Sequence, residues 1–222
     1  MKFHIITIFP EAFDSFLSTS VIWKALEKWK FEIALYKLNE FAKEKSGHVD
    51  DKAFGMHGQV LSPIPLAKAI EYIQESVGNA GMRSSKIPVI YMSPSWKTLT
   101  QEKVEDFSQN LKECIIICGH YEGIDQRIID MFVDYEISLW NYILTGWEIA
   151  AQVFIDSIVR LLPWAIGNSI SHEEESFSSK LDRQKEYPVY TRPQDFRGHK
   201  VPDTLTSGNH KEIEKWKYNN LR

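Results

Sequence analysis

A chain of 222 residues with 43% hydrophobic content is long enough for one large domain, or for one domain with a small appendage, around a buried core. Two cysteines cannot form a disulfide framework. With no apolar run of about 18 residues and no signal-peptide pattern, the chain is expected to be cytoplasmic, with no membrane span. The net charge of −4 is uneven: residues 180–222 contain 10 Lys and Arg against 6 Asp and Glu, and the remainder contains 16 against 24. A basic tail on an acidic body indicates a polyanionic partner, and the alternative is a simply solvated surface.

The first half of the chain alternates strand-like apolar runs with segments whose apolar residues recur at helical spacing. Pro10 ends the first run and can open a helix at its first turn. In chain order the pattern predicts a strand at 2–9, a helix at 20–29, a strand at 31–38, a long polar loop at 41–62, a helix at 65–77 and a strand at 87–92.

The second half continues the same alternation. Thr100 is expected to cap a helix through its hydroxyl. Cys114 and Cys118 lie in an apolar run, where reduced core thiols are favoured over metal ligands. In chain order the pattern predicts a helix at 100–111, a buried strand at 113–118, a helix at 124–132, a strand at 133–138 and a long apolar helix at 146–162.

Strands that alternate with helices predict an α/β fold with a mostly parallel sheet covered on both faces. Ligands bind such sheets beyond the carboxyl ends of the strands. The loops expected there, 93–96, 119–123 and 139–142, carry polar or turn-forming residues and predict a small-molecule site. The sequence contains neither G-x-x-x-x-G-K nor G-x-G-x-x-G, which argues against an unrelated nucleotide-binding enzyme.

The pattern changes after Pro163. Residues 163–186 are polar and acidic in their second part and predict a flexible linker. Residues 187–222 contain turn signals and then a short helical pattern, which predicts a small, mainly helical C-terminal domain. The main domain is then expected to end at residue 162.

Several motifs in fixed order resemble one enzyme family. The strongest are CGHYEGIDQR at 118–127, DSIVR at 156–160 and YTRP at 190–193, followed by Val201-Pro202, TSGNH at 206–210 and Trp216. Together they resemble the tRNA (guanine-N1)-methyltransferase family of the TrmD type, in the SPOUT class. The match runs along nearly the whole chain.

This resemblance implies a fold and an activity that patterning does not show. It implies a SPOUT domain at 1–162 with a deep C-terminal trefoil knot that binds S-adenosylmethionine, and a tRNA-binding domain at 187–222. The implied reaction is methyl transfer to N1 of guanosine 37, just 3′ of the anticodon. It also implies a homodimer whose active site lies at the subunit interface, and it suggests that Mg²⁺ assists, although no protein metal site is predicted.

N1 of guanine carries a proton at neutral pH, so a base must remove it before N1 attacks a methyl group. By resemblance, Glu175 occupies the position of the base, where the family has Asp, and Arg160 the position of the arginine that stabilises charge on O6. The alternative is that residues 173–175 are simply a solvated acidic run. His120 is expected to form part of a loop wall, and we assign it no catalytic role.

The remaining site residues are also implied by resemblance. The cofactor-binding set consists of Ser93, Pro94, Gly119, Glu122, Leu139, Trp140, Asn141, Tyr142, Ile143, Leu144, Gly146 and Trp147. The candidate tRNA contacts are Arg192, Lys200, His210 and Lys217, because phosphate binding needs fixed positive charge and hydrogen-bond donors.

The chain contains seven tryptophans and only 11 glycines. Six of the tryptophans stand where the resembling family prefers glycine, at residues Trp23, Trp29, Trp96, Trp140, Trp147 and Trp164. One replacement repeated six times suggests a source that reads UGA as glycine, with tryptophan at these positions only in the conventional translation. The competing hypothesis is a decayed enzyme. Asn141 in place of Asp and the sparse glycine loop at 55–58 support it, because a recoded codon explains neither.

The resemblance leaves three hypotheses for the function. The leading prediction is an active S-adenosylmethionine-dependent tRNA methyltransferase. The alternative is a catalytically inactive tRNA-binding homologue. A SPOUT enzyme that acts on another RNA base is a third, against which the tail motif at 206–210 argues.

Overall fold

The chain forms two units of contacts, Met1–Ile166 and Gly167–Arg222. The structure is a computed structural model, and it describes residues 1–42, 47–78, 86–94, 97–163 and 174–222. The boundary between the units falls inside the predicted linker. Residues 174–186 make hydrogen bonds within the second unit, but the flexibility of 163–186 stays a prediction.

The first unit alternates strands and helices as predicted. Its strands are β1 (Lys2–Thr7), β2 (Glu32–Lys37), β3 (Asp50–Lys52), β4 (Gln59–Leu61), β5 (Val89–Met92), β6 (Glu113–Cys118) and β7 (Tyr135–Ile137). Its helices are α1 (Asp14–Leu17), α2 (Ser20–Glu27), α3 (Pro63–Gly78), α4 (Gln101–Asn110), α5 (Gln126–Phe132) and α6 (Glu148–Val159), with 3₁₀ turns at Pro10–Phe13 and Leu38–Phe41.

Five of these strands form one sheet in the order β2-β1-β6-β5-β7, and every neighbouring pair is parallel. The central strand β6 is buried at all six positions, because helices cover both of its faces. The carboxyl ends of all five strands therefore meet at one edge. The predicted α/β class with a mostly parallel sheet is confirmed.

Alternate residues along the strands enter two separate cores. On one face Phe3, Ile5 and Ile116 pack with Phe154 and other buried residues of α6. On the other face Ile6 and Ile117 belong to a cluster that includes buried residues of α3 and α5. Strands β1, β2, β5 and β6 thus contribute side chains to both cores, as the period-2 geometry of a β-strand requires.

Most of the predicted elements are confirmed within a few residues, and the predicted strand at 113–118 has the observed bounds. Thr100 caps α4: its hydroxyl accepts a hydrogen bond from the Lys103 backbone N–H at 3.3 Å. The predicted cysteines are confirmed as free, buried thiols, and burial raises the pKa of both.

The long loop predicted at 41–62 is only partly right, because it contains the antiparallel hairpin of β3 and β4. The strands are three residues each, and the β3 segment is entirely charged, so alternation gave no signal. The hairpin is fixed by its backbone. Glu122 N–H donates to the Gln59 carbonyl at 3.0 Å, and Leu61 N–H donates to the Gly123 carbonyl at 3.0 Å.

A buried histidine in the middle of β1 makes hydrogen-bond contacts with the first residue of β6 and with a tyrosine of β2. His4 on β1 is 1% exposed, and its Nε2 lies 2.7 Å from Glu113 Oε1. Its Nδ1 lies 3.0 Å from the Tyr36 hydroxyl. A neutral ring satisfies both contacts, with Tyr36 O–H donating to Nδ1 and Nε2–H donating to the carboxylate. Burial lowers the pKa of His4, and the hydrogen bond to Glu113 opposes that shift only in part.

The second unit consists of short elements. They are the 3₁₀ turn Ser179–Leu181, the hairpin β8 (Asp195–Phe196) and β9 (His199–Lys200), α7 (Asp203–Thr206) and α8 (His210–Asn219). Lys185 and Arg222 exchange two backbone hydrogen bonds of 3.0 Å, which tie the start of the unit to its end. Trp216 of α8 packs edge-on against Tyr187 and Tyr190.

Trp29 ends α2 in a backbone conformation that favours glycine. Its φ is +54°, and its side chain is 84% exposed. Lys30 N–H donates to the Ala25 carbonyl at 3.0 Å, and Trp29 N–H donates to the Leu26 carbonyl at 2.9 Å. These two bonds form a Schellman cap, whose left-handed position is most often glycine.

Candidate functional site

A cavity of about 450 Å³ lies at the carboxyl ends of β5, β6 and β7. Its size lies in the range of small-molecule sites, about 300–1,000 Å³. Its walls come from the ends of these strands and from the loops that follow them. The residues that line it are Tyr91, Ser93, Pro94, Tyr121, Glu122, Gly123, Ile124, Gln126, Ile129, Glu136, Ile143, Leu144 and Trp147. The cavity therefore lies at the edge where the sequence predicts a small-molecule site, and binding of a ligand there stays a prediction.

The main chain comes unusually close to side chains at two glycines near this cavity. A Cβ on Gly119 would lie 3.0 Å from the ring of Tyr91, and a Cβ on Gly146 would lie 2.3 Å from Cε1 of His120. Both positions therefore need the absence of a side chain. Gly146 also forms an isolated antiparallel bridge with His120, which joins the two loops.

Half of the predicted cofactor-binding set lines this cavity: Ser93, Pro94, Glu122, Ile143, Leu144 and Trp147. Gly119 and Gly146 support it through the close approaches just described. Leu139 packs against the core next to α6, whereas Trp140, Asn141 and Tyr142 are exposed and are not among the lining residues. Binding by any of the twelve stays a prediction.

Sequence reasoning missed Tyr91 and Glu136, which lie opposite each other on β5 and β7. Burial, then the charge of Glu136, raises the pKa of Tyr91 to about 12, so the phenol is neutral at physiological pH. A polar-tipped aromatic residue two positions before the predicted loop at 93–96 was the available signal. The apolar run around it predicted a core strand instead.

At Trp140 and Trp147 glycine would allow either a left-handed backbone or a close approach of the main chain to the cofactor. Neither residue has a positive φ, so the first reason does not apply, and the second stays a prediction. Trp147 has φ −100° at the N-cap of α6, is 7% exposed, and lines the cavity. Trp140 is 62% exposed. The need for a left-handed residue instead appears at Trp29, whereas Trp96 and Trp164 lie outside the described residues.

Arg160 is the C-cap of α6 and is half-buried. A cation at this end of a helix is stabilised by the carbonyl groups of the last turn. Trp147 caps the opposite end of the same helix. The 12 residues between them span roughly 18 Å, which is more than an arginine side chain can reach.

The structure describes two glutamates of the acidic run at 173–175, Glu174 and Glu175. Glu174 accepts hydrogen bonds from Lys180 Nζ at 2.7 Å, Lys217 Nζ at 2.8 Å and the Tyr187 hydroxyl at 3.1 Å. The two lysines hold the pKa of Glu174 down to about 2. Glu175 is half-buried, and its carbonyl accepts from the Ser178 N–H at 3.0 Å.

The predicted tRNA contacts are distributed over the second unit. Arg192, Lys200 and His210 are exposed, and Arg192 lines a cavity of about 410 Å³. Lys217 is paired with Glu174, and this carboxylate raises its pKa. Its ammonium group is therefore already engaged within the unit, which makes Lys217 the weakest of the four as a phosphate ligand.

Two kinds of site have no support among the residues that the structure describes. Within these ranges His, Cys, Asp and Glu side chains nowhere gather in a group of three that could hold a metal ion. In the same part of the chain, no helix combines the length and apolar character needed to cross a bilayer.

Comparison with known proteins gives one consistent family. Residues 1–222 match the family model described as tRNA (Guanine-1)-methyltransferase TrmD. Two proteins named tRNA (guanine-N(1)-)-methyltransferase, from Clostridioides difficile and Oceanobacillus iheyensis, are each 44% identical to this chain. The aligned regions cover 98% of this chain in both cases, and 90% and 85% of the respective relative. The crystal structure of tRNA (m1G37) methyltransferase from Aquifex aeolicus aligns with a TM-score of 0.76 and 37% identity, over 98% of this chain and 88% of that one. The chain therefore belongs to the tRNA (Guanine-1)-methyltransferase TrmD family.

Proposed function

We propose that this protein transfers the methyl group of S-adenosylmethionine to N1 of guanosine 37 in tRNA. The observation that carries the proposal is the cavity at the carboxyl ends of β5, β6 and β7, in a chain that belongs to this family over its full length. We propose further that the first unit has the trefoil knot of the SPOUT class. The buried reduced thiols are consistent with a cytoplasmic protein.

The residues at this cavity fit S-adenosylmethionine in size and chemistry. Gly119 and Gly146 hold the main chain close to the ring atoms of neighbouring residues. Exposed polar groups such as Glu122 and apolar surfaces such as Leu144 line the same space, which suits a ligand with a charged amino-acid part and an adenine ring. When bound, the sulfonium supplies a methyl group that is already activated for transfer.

The chain must then remove one proton, because N1 of guanine is protonated at neutral pH. We assign this step to Glu175, because it occupies the position of the base in the family that the chain resembles. Arg160 would donate to O6 and stabilise the negative charge that develops there as the proton leaves. Positioning and proton removal together account for the catalysis.

A homodimer would explain how Arg160 and the cavity, which lie at opposite ends of α6, can act on the same guanine. Arg160 and the cavity lie roughly 18 Å apart along one helix, so they can act on one guanine only if they come from different copies. Ile149 and Val153, on the outer face of α6, are 61% and 45% exposed and offer apolar surface for such an interface. We therefore propose that each active site is completed by a second copy of this chain.

The second unit is proposed to bind tRNA through exposed cations. Residues 180–222 have a net charge of +4, and Arg192, Lys200 and His210 point to solvent-accessible surface. Phosphate contacts of this kind should weaken steeply as salt is raised. Mg²⁺ dependence stays a prediction, and no step is assigned to a metal.

The alternative function, an inactive tRNA-binding homologue, has one specific observation in its favour. The buried indole of Trp147 lines the proposed cofactor cavity and reduces its free volume. The comparisons do not favour it, because the relatives are named as methyltransferases.

The test is methyl transfer from labelled S-adenosylmethionine to a tRNA with guanosine at position 37. It is run on the chain as written and on a version with the six tryptophans changed to glycine. Formation of 1-methylguanosine by either version supports the enzyme. If neither version forms it while tRNA still binds, the protein is the inactive homologue.

Two matched variants then test the assignments. Glu175→Gln should lower kcat by at least about 10²-fold, whereas Glu174→Gln should leave kcat within about threefold.

A mixing experiment tests the dimer. Arg160→Ala chains mixed with Gly146→Val chains should regain activity, because a mixed dimer contains one complete site. No recovery on mixing would place the whole site within one chain.

A further inference from the structure

Glu148 is a buried carboxylate at the edge of the proposed cofactor cavity. It is the first residue of α6 and is only 5% exposed. Its Oε1 accepts a hydrogen bond from the Thr7 hydroxyl at 2.6 Å. Nε2 of His120 lies 2.7 Å from Oε1 and 2.8 Å from Oε2. A buried carboxylate is costly unless it is well partnered, so this arrangement needs a reason.

The three side chains come from three separate elements. Thr7 ends β1, His120 follows β6, and Glu148 begins α6, so the partners are 28 and 141 residues away in sequence. The Thr7 hydroxyl also accepts from the Phe9 N–H at 3.0 Å. One carboxylate thus links the carboxyl ends of two strands to the start of a helix.

The His120 ring is held on its other sides as well. Its ring packs edge-on against Phe9 at a centroid distance of 5.2 Å. Gly146 approaches so closely that a Cβ would lie 2.3 Å from His120 Cε1 and 2.8 Å from Glu148 Oε2. The backbone is joined beside this contact, since Trp147 N–H donates to the Gly119 carbonyl at 3.3 Å.

Both segments that meet here form walls of the cavity. The segment after β6 contributes Tyr121, Glu122 and Gly123, and the segment before α6 contributes Leu144 and Trp147. Their separation sets the width of the cavity. Glu148, His120 and Thr7 are absent from the lining, so they act on a ligand only through these walls.

We propose that Glu148 is a positioning residue that, through His120 and Thr7, fixes the two walls and thereby sets the affinity for S-adenosylmethionine. This inference rests on the proposed function. A carboxylate suits the role because both of its oxygens accept hydrogen bonds and its two partners can both donate. A glutamine would turn an amide N–H towards one of them.

The test compares Glu148→Gln and the pair Thr7→Val and Thr7→Ser with the unmodified chain. Glu148→Gln should raise KM for S-adenosylmethionine by about tenfold, Thr7→Val by about threefold, and Thr7→Ser by less than twofold, with kcat changed less than KM in each case. The Kd for S-adenosylhomocysteine, measured by calorimetry, should follow the same order.

The pair His4 and Glu113 provides a matched control. It is also a buried histidine–glutamate contact of 2.7 Å, but lies towards the opposite ends of the strands. His4→Asn should lower the melting temperature and leave KM for S-adenosylmethionine within twofold. An equal rise in KM for His4→Asn and Glu148→Gln would show a general loss of stability and overturn the proposal, as would no change in Glu148→Gln.

Amide hydrogen exchange keeps the inference separate from the proposed function. In Thr7→Val, amides of residues 119–123 and 144–147 should exchange faster than in Thr7→Ser, even without a ligand. If the unmodified chain binds no S-adenosylmethionine, the proposed function fails and this comparison decides the positioning role. Equal exchange in the two variants would refute it.

Discussion

Replacing Trp29 by glycine should stabilise the protein, although the change removes a whole indole side chain. The φ of +54° costs a non-glycine residue about 1–2 kcal/mol relative to a right-handed conformation. Glycine avoids this cost but increases the entropy of the unfolded chain, which returns up to about 1 kcal/mol. Because the indole is 84% exposed, little apolar burial is lost. The expected net gain is about 1 kcal/mol.

Urea unfolding measures this gain in the free energy of unfolding, and an unchanged m-value would show that only stability has changed. Amide exchange of α2 locates the gain in this helix. Trp23→Gly is the matched control, since Trp23 lies inside α2 and is 43% exposed. Glycine there should destabilise the protein by about 1 kcal/mol. A loss of stability in Trp29→Gly, or equal effects at both positions, would refute the argument from the Schellman cap. Peptide mass spectrometry of the native protein shows directly which residue occupies each site.

Three further changes have signs that follow from the structure. Burial lowers the pKa of His4 below its usual 6.5, so the unfolded chain binds that proton more tightly than the folded protein does. The free energy of unfolding should therefore fall as pH drops below 6.5 and become constant below the folded-state pKa of His4. Urea unfolding at several pH values checks this trend, which His4→Asn should abolish. Lys180 and Lys217 lower the pKa of Glu174 from 4.5 to about 2, so the second unit should lose stability as pH falls from 4.5 through 2. Amide protection factors in α8, corrected for the intrinsic exchange rate at each pH, should fall with it, and Glu174→Gln should lack this dependence. Trp147→Gly should lower the free energy of unfolding by about 3 kcal/mol, because a buried indole is lost. The same change should tighten S-adenosylhomocysteine binding about tenfold, because the indole no longer reduces the free volume of the cavity. Weaker binding in calorimetry would mean that the indole is part of the ligand site.

The sequence predicted those parts of the fold that depend on local pattern. The apolar run of β6 has the predicted bounds, because a strand buried on both faces has no polar interruptions. The hairpin of β3 and β4 escaped prediction, since its pairing of Asp50 with Leu61 depends on the backbone of 122–125 rather than on alternation.

The candidate site was predicted in place but not in detail. Its loops follow the carboxyl ends of strands, which topology alone requires. The contact of Thr7 with Glu148 joins residues 141 positions apart, and only the packed sheet brings them together. Likewise Tyr91 looked like a core residue, because its neighbours in β5 are apolar and it is itself buried, although it lines the cavity.

The loop that carries Glu122 is tied on two sides. The hairpin strand β4 holds it through the backbone at Gln59 and Leu61, and Glu148 holds its base through His120. Residues 140–143, of which Ile143 lines the cavity, are exposed, and the Tyr142 N–H donates within this segment, to the Trp140 carbonyl at 3.0 Å. We therefore expect a ligand that needs more room than the cavity offers to displace the exposed segment at 140–143 before the tied loop at 119–123.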